Sequence, residues 1–115
     1  MAGRRKGDGV SVTIQPMRPT IDDRAEPRDE VYHRTRLTLV DHRVVTIAVV
    51  NLSPHGFMAR TDVEVGVGER VAVALPVVGS RTATVRWALG GRLGCQLEHA
   101  IEPRAYRALL TAAGG

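Results

Sequence analysis

The chain has 115 residues and a formal net charge of +4, with 43% hydrophobic and 24% charged residues. That length suits one domain rather than two, and the composition is that of an ordinary globular chain. No apolar run reaches bilayer-spanning length, and Arg4, Arg5 and Lys6 lead into glycine and aspartate instead of an apolar stretch, so neither a membrane helix nor a secretory signal is expected.

Residues 1–22 carry scattered Gly, Pro, Ser and Thr with few large apolar groups and read as a flexible tail. Val10, Val12 and Ile14 alternate there, a weak strand signal. From Tyr32 onward short apolar stretches are separated by turn residues. Leu37 and Leu39 alternate with polar neighbours, and Asp41-His42 interrupts them. Arg43 to Leu52 is nearly continuous in Val and Ile, which predicts a strand covered on both faces. Phe57 to Thr61 follows after Pro54 and Gly56. Beyond Gly66 and Gly68, Val71, Val73 and Leu75 share a face, and Pro76 and Gly79 close that strand. Ala83, Val85 and Trp87 alternate with Thr82, Thr84 and Arg86, so Val85 and Trp87 are expected on one face. Gly90-Gly91 is a hairpin signal, and Leu93, Cys95 and Leu97 alternate after it. Glu102-Pro103 then opens a helix, with Tyr106, Leu109, Leu110 and Ala113 on one side and Gly114-Gly115 at its end. About six closely spaced strands predict an antiparallel barrel or sandwich with one C-terminal helix. The helix is too short to stand alone and must dock on the sheet.

Only four residues are aromatic, Tyr32, Phe57, Trp87 and Tyr106, so the core rests on aliphatic side chains. That scarcity argues against a nucleic-acid-binding barrel, which needs stacking platforms. The four histidines are dispersed without metal-ligand spacing. The single Cys95 has no disulfide partner and fits a reducing, cytoplasmic setting. Neither Cys95 nor Ser53 has an evident base, so an enzyme is not expected.

Two clusters stand out. The first is Arg24-Ala25-Glu26-Pro27-Arg28, ahead of the first strand; the second is Asn51-Leu52-Ser53-Pro54-His55-Gly56, at a strand-to-strand turn. Read alone, each has an ordinary explanation. The arginines can pair with Glu26, Asp29 and Glu30, and Asn, Ser, Pro and Gly are turn formers. Together, in this order and one hairpin apart, they match Arg-x-x-x-Arg followed by Asp/Asn-x-Ser-x-x-Gly. With Leu75-Pro76, Val85-x-Trp87 and Gly94 further on, the stretch from Asp23 to Ala112 resembles the PilZ domain family.

The resemblance implies an all-β fold over residues 23–115, a six-stranded antiparallel PilZ-like β-barrel with one C-terminal helix. It implies a receptor for cyclic di-GMP, with no other cofactor, that passes the signal to an unidentified downstream protein. Its ligand residues would be Arg24, Arg28, Asn51, Ser53, Gly56 and Trp87. Arginine forks onto guanine O6 and N7 and also onto phosphate. Asn51 offers an amide oxygen to guanine donors, Ser53 a hydroxyl, and Gly56 a close approach. Trp87 has two readings, against a guanine or within the core. Asp23 stands where many relatives carry Arg, which favours one bound dinucleotide over a stacked pair. The alternative is a PilZ-like protein–protein interaction module that has lost the ligand.

Overall fold

The computed structural model describes residues 27–114. Arg24 and the whole of the 1–22 tail, with the weak strand signal in it, lie outside the described residues. Six strands run in chain order: β1 (Asp29–Thr38), β2 (Val44–Ser53), β3 (Gly56–Arg60), β4 (Arg70–Leu75), β5 (Gly79–Leu89) and β6 (Arg92–Leu97), followed by one helix, α1 (Pro103–Ala112). They form a closed antiparallel barrel in the order β1-β2-β3-β6-β5-β4. Closure comes from a short pairing of β1 with β4, at Leu37 to Val73 and Thr38 to Ala72. The predicted barrel and its helix are therefore present.

Alternation builds the interior. Leu37, Ile47, Val49, Leu52, Phe57, Ala59, Val71, Val73, Ala83, Val85, Leu93 and Cys95 are all buried and converge from the six strands. Burial raises the pKa of the Cys95 thiol to about 12, so it is a small core residue and not a thiolate at neutral pH.

The expectation of a two-sided β2 is corrected. Ile47 and Val49 point inward, while Val44 and Thr46 are exposed and Ala48 is half-buried. The apolar run is continuous for a different reason: β2 slips register against β3 between Val49 and Asn51, leaving Val50 as the extra residue. A bulge shifts which residues face inward, so an unbroken apolar run need not mean that both faces are covered.

Helix α1 begins at Pro103, where the absent N–H costs nothing, after an extended Glu102. Ten residues form a marginal helix in isolation. Tyr106, Leu109 and Ala113 bury one face against the core, with Ile101 from the preceding linker. The linker and the end of β6 are also tied to the β2–β3 turn: Ile101 N–H donates to the Pro54 carbonyl at 2.9 Å and Leu97 N–H to the His55 carbonyl at 2.8 Å. The turn holding the second motif and the base of the helix are therefore one hydrogen-bonded unit.

Candidate functional site

The two motifs meet. Arg28 Nη1 donates to Asn51 Oδ1 at 2.8 Å, with both side chains half-buried. The bulge at Val50 makes the contact geometrically available. With Val49 and Leu52 both pointing into the core, Asn51 is turned to the outer surface, where a chain entering β1 can reach it.

Register places Asn51 in an outward row with Glu30 on β1, Met58 on β3, Gly94 on β6 and Trp87 on β5. Trp87 is not beside Val85. The β5–β6 register shifts between the two, so Val85 is fully buried and Trp87 is 37% exposed on the outer face. Of the two readings for the tryptophan, core packing is excluded. Its indole instead lies on Gly94, where a Cβ would collide with Nε1, Cε2 and Cδ1 of the ring. Gly94 is buried under this cover. Lying over β6, the indole leaves about two strand spacings, roughly 10 Å, back to the Asn51 backbone, with Met58 between them. Met58 is the residue that motif reasoning missed; only the register reveals it.

A Gly94→Ala change tests this seat. The clash is with a partly exposed side chain, so the ring is displaced outward and the barrel survives. The emission of this single tryptophan shifts to the red and acrylamide quenching increases; an unchanged spectrum would show that the ring does not rest on Gly94.

Ser53 and Gly56 face each other in the next outward row, which continues to Gln96 and Thr84. Ser53 is 3% exposed, and its oxygen accepts the His55 N–H at 3.3 Å while lying 3.5 Å from the Gly56 carbonyl. Its hydroxyl thus closes the turn. A Cβ on Gly56 would stand 2.5 Å from the Cys95 carbonyl oxygen, so glycine lets β3 run close to β6. Both residues serve the turn that presents Asn51.

Beneath the Arg28–Asn51 contact lies a second link. The Tyr106 hydroxyl is 2.6 Å from Asp29 Oδ2 and 2.9 Å from the Leu52 carbonyl oxygen, so one proton serves two acceptors. Asp29 follows Arg28 and Leu52 follows Asn51. The helix therefore grips both strands one residue beyond the point where the motifs meet. Of the six residues expected at the site, five lie among the described residues. Arg28 and Asn51 are in contact, Trp87 shares their row, and Ser53 and Gly56 shape the turn. Compared with known proteins, the chain matches no family model and no curated sequence significantly.

Proposed function

We propose that the chain is a cyclic di-GMP receptor and adaptor of PilZ type, in which the Arg24–Arg28 segment closes over the outer face of the barrel onto the bound dinucleotide. The observation that carries this reading is the 2.8 Å contact between Arg28 and Asn51, one residue from each motif. Arg28 already sits where it can exchange an amide oxygen for a guanine edge or a phosphate, and Arg24 lies one motif length upstream. Asn51 keeps its amide on the same surface, and the Trp87 indole offers a flat face in the same row. A doubly charged dinucleotide with two guanines matches guanidinium forks, an amide and an aromatic plane.

The ordering of residues 22–30 over the ligand is the signal a partner protein reads. Fixing such a segment costs about 1–2 kcal/mol per residue, and each charge-assisted hydrogen bond returns roughly 1.5–3 kcal/mol. Several contacts must form together, which makes the response switch-like. Titration calorimetry with cyclic di-GMP yields saturable binding, weakened about tenfold or more by Arg28→Ala, and amide exchange of residues 22–30 slows when ligand is added. A flat titration of the unmodified protein would overturn the reading.

The turn supports a second reading, a PilZ-like interaction module without ligand. Ser53 is closed in on its own turn, and the Cys95 carbonyl accounts for glycine at position 56 without any ligand. The same titration separates the two.

A further inference from the structure

One register row away on the outer surface, a different pattern appears. Arg34 on β1 pairs with Ala48 on β2, Ala48 with Arg60 on β3, Arg60 with Arg92 on β6, and Arg92 with Leu89 on β5. Five neighbouring strands thus present Arg, Ala, Arg, Arg and Leu side by side, over about 19 Å at the usual strand spacing. The three arginines are exposed, Leu89 is 80% exposed, and Tyr32, two residues before Arg34, is 60% exposed. Tyr32, Arg34, Ala48, Arg60, Asp62 and Arg92 are among the residues that line a groove of about 500 Å³.

Three other exposed arginines of the barrel have side-chain partners: Arg43 with Asp41, Arg70 with Glu98, Arg86 with Gln96. The side chains of Arg34, Arg60 and Arg92 make no hydrogen bond or ion pair among the described residues, and Asp62 forms no ion pair with any of them. Arg60 and Arg92 stand directly opposite each other on adjacent strands, an arrangement that repels. A carboxylate set between them turns that repulsion into attraction, and the planar fork of arginine suits a carboxylate. Arg and Tyr are also the anchors most used at protein interfaces. A row of charges on an open sheet face, ending in an exposed leucine, lacks the apolar enclosure of a small-molecule pocket.

We propose that this row docks an extended acidic segment of a partner protein, with carboxylates on Arg34, Arg60 and Arg92 and an apolar residue over Leu89. An extended segment places same-face side chains roughly 6.6 Å apart, so about seven residues span the row. The proposal identifies a surface through which an adaptor acts, and it does not rest on the dinucleotide site.

The test is fluorescence anisotropy with a labelled seven-residue peptide in which three glutamates alternate with serines and a leucine ends the chain. In low salt the peptide binds saturably, and binding weakens steeply as salt is raised. The double variant Arg60→Gln/Arg92→Gln binds at least about tenfold more weakly, as does a peptide with lysine for glutamate. Leu89→Ser weakens binding without changing its salt dependence. Arg28→Ala leaves peptide binding intact, which separates this surface from the dinucleotide site. Absence of saturable binding, or equal binding by the double variant, would overturn the proposal. So would displacement of the peptide by inorganic pyrophosphate or oligothymidylate at lower concentration than the peptide itself requires, which would assign the row to phosphates.

Discussion

Gly56→Ala lowers the unfolding free energy by about 1–3 kcal/mol in the complete absence of ligand. A Cβ at this position would stand 2.5 Å from the Cys95 carbonyl oxygen, and that oxygen belongs to the neighbouring strand's backbone. A flexible side chain could rotate away; a backbone carbonyl in a closed barrel cannot move without shifting β6 as well. The strain falls on a short segment with little freedom. Position 56 pairs with Gln96 on one side and Ser53 on the other, and the adjacent Phe57 is fully buried. Gly94 is the instructive contrast, because the atoms nearest its added methyl group belong to a partly exposed indole and not to backbone. Urea denaturation of the two variants is the comparison. The midpoint falls clearly for Gly56→Ala and much less for Gly94→Ala, while the slope stays near that of the unmodified protein. If Gly56→Ala unfolds at the unmodified midpoint, the close approach of β3 to β6 is not needed for stability. Glycine would then have to be explained by what binds over it.

Six strands and a helix were legible because alternation, turn residues and a proline start are local signals. Leu93, Cys95 and Leu97 alternate in the sequence and are buried in the fold for the same reason. The register shifts were not legible. Val85 and Trp87 are two apart, which in a regular strand means a shared face, yet one extra residue between them sends the tryptophan outside. That extra residue is Arg86, whose side chain bonds to Gln96 on the neighbouring strand and carries no apolar mark in the sequence. Gly94, the partner of Trp87, is the one local hint: a glycine inside a strand signals a bulge or a close approach. At Val50 the sequence is misleading, since an apolar residue in a bulge prolongs an apolar run. In both places the departure serves the candidate site, one bringing Asn51 to the surface and the other Trp87. The meeting of the motifs was legible only as a pattern; the physical contact between Arg28 and Asn51 spans 23 residues and depends on β1 pairing with β2.

The longest-range link at the site, between residues 77 apart, left no trace in the sequence, and it carries the second large effect. Tyr106→Phe keeps the ring packed against the core and removes only the hydroxyl. The change strips one donor from both Asp29 and the Leu52 carbonyl. Loss of a hydrogen bond to a charged acceptor at a part-buried position costs about 1–3 kcal/mol, read as a lower denaturation midpoint with the far-ultraviolet spectrum unchanged. An exposed neighbour on the same helix, Arg107→Ala, leaves the midpoint in place and serves as the control. The variant also separates packing from linkage. The ring remains, so the helix stays docked, but the start of β1 loses its tie to it and amide exchange at Asp29 and Glu30 accelerates. If the segment ahead of β1 closes over a ligand, the free energy of that closure is shared with this tie, and linkage is reciprocal. Tyr106→Phe then weakens cyclic di-GMP binding without touching any ligand contact, and ligand in turn slows exchange at the first turn of α1. Unaltered exchange at Asp29 and Glu30 in Tyr106→Phe would mean that the helix does not restrain the strand. Any coupling between the Arg28–Asn51 corner and the C-terminal helix would then have to run through the Ile101–Pro54 link at the β2–β3 turn instead.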